Sequence, residues 1–253
     1  MATDERRQDR ERRFHDERFA EGREEPRSEA GRFYSVVERS QDAYERIVSD
    51  RGQGADCLEY GCSFGRDTMR LAESARSSVG IDISGVVIER ARRAAAEAGS
   101  PARFEVAEAE TLPFGDASFD LAYGSSVLHH LELRPAIAEM ERVLRDDGSG
   151  VFYEPLGHNP LINWYRNRTP EMRTPDEHPL VRPDFDLFRE FFQSVEVRFF
   201  HLAALAAVPL AGRPGFRSAL GVLDRIDDAL LRLVPPLRYQ AWVCIVLLDR
   251  PKR

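Results

Sequence analysis

The chain has 253 residues, 42% of them apolar and 31% charged, a balance that suits a folded globular protein and excludes a disordered one. Three cysteines (Cys57, Cys62 and Cys244) are too few and too scattered for a disulfide scaffold and point to a reducing compartment. A net charge of −7 and a pI of ≈ 5.5 lack the basic surplus of a nucleic-acid binder, and the longest apolar runs, 202–211 and 241–248, fall short of the ~20 residues of a membrane-spanning helix.

The first 32 residues hold ten acidic and nine basic side chains, which reads as a solvated helix or arm, with Phe14 and Phe19 as its anchors. No apolar signal core is present in it, so a cytoplasmic location is expected. Over 33–48, Phe33, Val36, Val37, Tyr44, Ile47 and Val48 recur at near-helical spacing and predict an amphipathic helix, which breaks at 51–55. The charged arm and this helix, residues 1–50, are read as an N-terminal helical lid on a domain spanning 51–253. That domain opens with a strand at 56–60, a glycine loop at 61–65 and a helix at 66–75. A buried strand follows at 79–83, and Ser84 caps an alanine-rich helix that runs to about Ala98. Strands are predicted at 103–106 and 119–123, then a helix at 134–144 that stops at Asp146, Asp147 and Gly148, and a strand from 150 to 153. Strand–helix alternation at this spacing predicts an α/β fold with a parallel sheet covered on both faces. Residues 154–183, rich in Pro, Arg and His, are too long for a plain connection and read as a substrate-facing insertion. A helix at 184–192, a strand at 195–200, a helical stretch at 202–233 broken near 212–215, and a strand at 238–248 complete the chain.

The informative stretch begins where the first strand ends in Glu59, Tyr60, Gly61, Cys62, Ser63, Phe64 and Gly65, with Asp82 closing the second strand. Open α/β sheets bind ligands beyond the carboxyl ends of their strands. Glycines there let backbone approach a ligand, and a carboxylate at the end of the second strand can take both ribose hydroxyls. The loop departs from G-x-G-x-x-G, which argues against a dinucleotide and for a ribose-bearing cofactor without a pyrophosphate. The alternative for each residue taken singly is a tight turn at Gly61 and Gly65, and a helix-capping role for Asp82.

Four runs in order, LEYGCSFG, VGIDIS, FEVAEAETLPFGDASFDLAYGSSVLHHL and EMERVLRDDGSGVFYEP, resemble the class I S-adenosylmethionine-dependent methyltransferases, most closely the type 11 group that includes the ubiquinone and menaquinone methylating enzymes. The resemblance covers about residues 56–155. It implies a Rossmann-like, seven-stranded, mostly parallel sheet whose last strand is antiparallel, with S-adenosyl-L-methionine as cofactor and S-adenosyl-L-homocysteine as its product. Carried over, it implies that Gly61, Cys62 and Gly65 pass their backbone against the methionine and ribose portions. Glu59 would help hold the methionyl ammonium and Asp82 the ribose. Ile83 would lie against the adenine, with Glu108 and the Ala109 N–H at its edge. Gly124 and Ser125 would edge the transferring methyl. Two departures stand out: Ser63 where many members have a second loop glycine, and Asp146-Asp147-Gly148 where Pro-Gly-Gly is common.

Methyl transfer from a sulfonium needs a base only when the acceptor must lose a proton. Candidate bases are His129, His158 and His178, with Tyr165 in the same insertion and Arg166, Arg168, Arg173 and Arg182 available to an anionic acceptor. Tyr34 is a candidate for packing near the sulfonium. No metal site is expected, because adjacent His129 and His130 should point different ways. The apolar 199–237 stretch would wall a lipophilic acceptor pocket, form a homodimer surface or cover the sheet. The expected activity is O- or N-methylation of a small molecule. The alternatives are a protein or RNA acceptor, which the acidic balance disfavours, and a cofactor-binding scaffold without turnover.

Overall fold

A computed structural model describes residues 7–20, 33–169, 174 and 176–252. Arg173 lies outside the described residues, as does the side chain of Phe19.

Seven strands form one sheet in the order β3-β2-β1-β4-β5-β7-β6. They are β1 (Asp56–Tyr60), β2 (Ser77–Asp82), β3 (Arg103–Val106), β4 (Phe119–Ser125), β5 (Leu144–Pro155), β6 (Phe192–Phe200) and β7 (Val243–Pro251). The first five pair in parallel, and β7 runs antiparallel to both β5 and β6. This is the α/β, Rossmann-like arrangement that the four runs imply, with the last strand reversed. Strand order turns back between β1 and β4, and that reversal opens a crevice above their carboxyl ends.

The helices are α1 (Arg7–Ala20), α2 (Glu38–Gly52), α3 (Arg66–Ala72), α4 (Gly85–Ala98), α5 (Leu133–Val143), α6 (Pro160–Arg168), α7 (Arg182–Phe191) and α8 (Phe216–Leu233). Among the described residues, none is long and apolar enough to cross a membrane. On one sheet face, Ile137, Met140 and Val143 of α5 and Phe185 and Phe188 of α7 pack with Tyr60 and Phe152. On the other, Tyr44 and Val48 of α2 pack with Leu121, Tyr123, Val151, Ile245 and Leu247. Burying each of these large side chains contributes about 1.5–3 kcal/mol before conformational entropy is set against it. The three cysteines are free and buried.

Boundaries depart from the sequence reading where tertiary contacts override local signals. The Asp146-Asp147-Gly148 stop lies within β5, because the register jumps from Phe119 opposite Leu144 to Leu121 opposite Ser149. Arg145 holds that irregularity, pairing with Asp120 at 2.7 Å and Asp56 at 3.0 Å. The stretch 154–183 is only partly loop. Glu154 and Pro155 finish β5, and Asn159 caps α6 by accepting from Leu161 N–H at 3.0 Å and Ile162 N–H at 3.1 Å. The expected helix at 33–48 is interrupted: Phe33 and Tyr34 are helical, Ser35 and Val36 form a turn, and α2 begins at Glu38. The last strand starts at Val243, because 235–240 forms a tight 3-10 turn.

Candidate active site

Register brings the ends of five strands together. Tyr60 stands beside Ile81 and Gly124, Asp82 beside Val106, and Ser125 beside Tyr153. Above them lies a cavity of about 810 Å³, lined among others by Glu59, Gly61, Cys62, Ser63, Asp82, Ile83, Glu108, Ala109 and Ser125. Nine residues singled out from the sequence thus meet in one crevice.

The loop between β1 and α3 owes its shape to left-handed backbone. Gly61 has φ 64° and Gly65 φ 77°. A Cβ on Gly65 would come within 2.4 Å of the Phe104 ring and 3.0 Å of Ala91, so the loop lies flat against α4 and β3 only without one. Gly65 is thereby a structural neighbour of the cavity. Ser63 also has positive φ, 48°, at a cost of about 1–2 kcal/mol for a residue with a Cβ. Ser63→Gly should therefore raise unfolding stability by about 0.5–1 kcal/mol, the relief exceeding the extra chain entropy. Denaturant melts would show the gain, and equal or lower stability would contradict the strain.

Asp82 reaches back to this loop. Its Oδ2 accepts from Ser63 N–H at 3.1 Å and its Oδ1 from Ser84 N–H at 2.9 Å. The side-chain cap of α4 is Ser84, whose Oγ accepts from Val87 N–H at 3.4 Å. Asp82 is thus aimed and held at the crevice, and the capping duty falls to its neighbour. Glu59 is almost fully buried and takes hydrogen bonds from the Thr68 hydroxyl and, at 3.3 Å, from the Tyr123 hydroxyl. Burial pushes its carboxyl up to about 8, against the pull of those two donors. A neutral or reluctantly charged acid facing a cavity is ready for a cationic group.

Helix α1 crosses the mouth of the crevice and lines it with Arg7, Gln8 and Glu11. Arg12 donates to Glu108 at 2.8 Å and to the Ile83 carbonyl at 3.4 Å, while Arg7 pairs with Glu110 and Asp16 accepts from Ser84 Oγ. Gln41 and Tyr44 of α2, Tyr153 of β5, and His130 complete the walls. Sequence reasoning did not single these out. Tyr153 carried a usable signal: Phe152 packs on the α5 face, so strand alternation sends its neighbour to the other side at the carboxyl end. Arg12 carried none, being one of many arginines in the charged arm.

The candidate bases divide. His129 is buried, with Nδ1 2.7 Å from Glu154 Oε2. Fully buried Glu154 also accepts from Val127 N–H at 2.9 Å and Leu128 N–H at 2.8 Å, so this pair shapes the turn after β4. The 3-10 turn stacks the His130 ring 4.2 Å from His129 rather than pointing it away, and His130 is the one that lines the cavity. His130 Nδ1 lies 3.4 Å from Glu11 Oε2. His158 and His178 are exposed and outside the crevice. His158 Nε2 accepts from Arg182 N–H at 3.4 Å, and His178 Nε2 lies 3.4 Å from Asp184. The segment carrying them is tied to the end of β5 by the Leu156–Leu180 bridge and to the turn after β4 by His178 N–H, which donates to the His129 carbonyl at 2.7 Å, and both imidazoles stay outside the cavity lining.

Tyr165 stacks on Phe33 at 4.8 Å, and Tyr34 on Trp242 at 5.8 Å, both away from the cavity lining. Gly124 is sealed beneath Val127. Arg166 pairs with Glu177 at 2.7 Å, Arg168 lies over Trp164, and Arg182 lies over Tyr239, so these arginines do not converge on the crevice. Behind Tyr153 runs a buried chain: its hydroxyl lies 2.9 Å from Ser40 Oγ, which lies 2.7 Å from His201 Nε2. Burial, with Arg39 nearby, brings the His201 imidazole down to about 4, so the ring is neutral at ordinary pH.

The comparisons with known proteins now bear on this geometry. A methyltransferase-domain family profile matches residues 58–152, the span from β1 into β5. The dimethylglycine N-methyltransferase of Parasynechococcus marenigrum is 34% identical over 211 residues, which cover 78% of this chain and 75% of that enzyme. The chain belongs to the class I S-adenosylmethionine-dependent methyltransferases. An O-methyltransferase of Penicillium expansum, cnsE, is 38% identical over 112 residues, and there the match spans less than half of either protein: 43% of this chain and 41% of the relative. Among solved structures, Haemonchus contortus phospholethanolamine N-methyltransferase 2, in complex with phosphomonomethylethanolamine and S-adenosylhomocysteine, superposes with a TM-score of 0.60, at 14% identity over 83% of this chain and 53% of that one. That likeness establishes the fold. The family's cofactor suits this crevice: about 810 Å³ lies within the usual range for such sites, and a buried acid with a raised pKa lines it.

Proposed function

We propose that this protein transfers a methyl group from S-adenosylmethionine to a small-molecule acceptor, with O- or N-methylation preferred. The observation that carries the reading is the line of three carboxylates, Glu59, Asp82 and Glu108, along one cavity at successive strand ends. When bound, the cofactor supplies an electrophilic methyl on a sulfonium. Asp82 would hold the ribose hydroxyls and Glu59 the methionyl ammonium. Ile83 would lie against the adenine, with Glu108 and the Ala109 N–H at its edge. Gly61, Cys62 and Ser63 would pass their backbone along the methionine and ribose. Ser125, next to Gly124, would border the reacting methyl, with Tyr153 opposite. Helix α1 acts as a lid that excludes water, its Arg12 sharing Glu108 with the adenine.

His130 is the group best placed to accept a proton from an acceptor hydroxyl or ammonium, since its ring faces the cavity while His129 braces it from behind. His130→Gln should lower kcat by 10²–10⁴-fold and leave the affinity for S-adenosylhomocysteine unchanged. An unchanged kcat would remove His130 from the chemistry. Support for a small acceptor comes from the relative named as a dimethylglycine N-methyltransferase, and from an overall charge of −7 with no basic surplus. The decisive experiment incubates the protein with methyl-labelled cofactor and cell extract, then separates polymers from small molecules. Label is expected in the small-molecule fraction. Label on protein or RNA would overturn the acceptor class, and tight cofactor binding with no labelled product would favour a scaffold without turnover.

A further inference from the structure

A second polar cluster lies behind the cavity wall, where the chain leaves β6 and meets α8. A ring nitrogen of His201 and one carboxylate oxygen each from Asp224 and Asp227 lie within 4.8 Å of one another. His201 is 1% exposed, and its backbone is left-handed with φ 66°. A non-glycine residue held there signals a position that the surroundings over-determine.

The protons around this ring can be counted. Ser40 Oγ lies 2.8 Å from the Val37 carbonyl oxygen, which can only accept, so the single hydroxyl proton goes there. Ser40 is then the acceptor from both the Tyr153 hydroxyl and His201 Nε2. In the neutral ring, Nε2 carries the proton and Nδ1 is a bare lone pair. Nδ1 is buried and has no hydrogen-bond partner among the described residues. A buried acceptor left unmet costs about 1–3 kcal/mol. Asp224 and Asp227 each bring a carboxylate oxygen within 4.8 Å of a nitrogen of this ring, so electron-rich atoms gather here.

The neighbouring groups leave that point unfilled. Asp227 is 3% exposed and accepts from the N–H groups of Leu202 at 3.1 Å, Ala203 at 2.5 Å and Ala204 at 3.1 Å. Three donors on four lone pairs leave it one to give. Arg39 spends its short contacts outside the cluster, pairing with Asp228 at 2.6 Å and donating to the Asp224 carbonyl at 3.2 Å, and makes only a long ion pair of 3.9 Å with the Asp224 carboxylate.

We propose that His201 Nδ1, Asp224 and Asp227 form a structural site for one divalent first-row transition ion of the zinc type. One imidazole with two carboxylates is a donor set that such ions favour, whereas calcium and magnesium prefer all-oxygen shells. Zinc bonds of about 2.0–2.2 Å require the donors to close in by about 1 Å from their present spread. Ligation at Nδ1 leaves Nε2–H as the donor to Ser40, the outer hydrogen bond that orients a ligating histidine. The ion would tie α8 to the end of β6 and fix the chain through Ser40 to Tyr153.

The test uses the full chain after chelator treatment, with Zn²⁺ as the probe in equilibrium dialysis and thermal melts. Wild type should bind one more equivalent than Asp224→Asn. At a hundredfold excess over Kd it should melt about 5–10 °C higher, a shift that the variant lacks. The comparison is needed because His129, His130 and Glu177 also bring ligand atoms within 4.8 Å of one another. Crystals of the wild-type protein soaked in Zn²⁺ give a reading that does not depend on the variant folding: an anomalous peak at His201 Nδ1 is expected. No peak there, or equal zinc uptake by both proteins, would overturn the site and leave a water or a proton as the occupant.

Discussion

Asp82→Ala should weaken S-adenosylhomocysteine binding by on the order of 100-fold or more. A hydrogen bond to a charged acceptor contributes about 1.5–3 kcal/mol, and the assigned role gives this carboxylate two ribose hydroxyls, so a net loss near 3 kcal/mol is the minimum expected once water replaces part of the contact. Folding should suffer by a similar amount, because the same carboxylate accepts from Ser63 N–H and Ser84 N–H, and losing both costs about 3 kcal/mol. Ser84→Ala separates the two effects. Ser84 is the true cap of α4, so its loss should cost about 1 kcal/mol of stability with cofactor affinity retained. Calorimetric titration of all three proteins decides the matter. If Asp82→Ala binds as tightly as wild type, the ribose assignment fails and the carboxylate is a loop fastener.

This pairing also shows what the sequence makes legible. A carboxylate at the end of a buried strand, a glycine loop one strand earlier and a helix start just beyond are all local patterns. Strand register then sets them side by side without further information, which is why Glu59, Asp82 and Glu108 fall in one cavity as expected. Contacts made by distant segments leave no such trace. Arg12 meets Glu108 across 96 residues, and Thr68 and Tyr123 converge on Glu59 from a helix and a strand on either side of it. Local density of functional residue types is the weaker guide. His158, His178, Tyr165 and the arginines cluster in sequence after β5, yet the segment that carries them is fixed by Asn159 and by the bridge at Leu180 beyond the end of β5, and the described side chains among them find partners outside the cavity lining. His130 was passed over in favour of His129 because spacing alone cannot tell which of two adjacent imidazoles a 3-10 turn presents to the cavity.

Cofactor binding near pH 7 should release a proton from Glu59. Its carboxyl, raised by burial to about 8, is mostly protonated in the free protein, and an ammonium brought into the cavity favours the charged form. Titrations with S-adenosylhomocysteine in phosphate and in Tris should then give heats that differ in proportion to the buffers' ionisation enthalpies. Equal heats would show that no proton moves. The sign for stability follows from the same shift. The folded state holds this proton more tightly than the unfolded chain, so the contribution is full below about 4.5 and is lost as pH rises to about 8. Glu59→Gln removes that loss while keeping an oxygen for Thr68. Without ligand, the variant should gain on wild type progressively across this window, by up to roughly 5 kcal/mol at higher pH. It should also bind the cofactor more weakly and release no proton in either buffer. A variant that is less stable than wild type at pH 9 would mean that the buried acid is satisfied by its neighbours and carries no charge meant for a ligand.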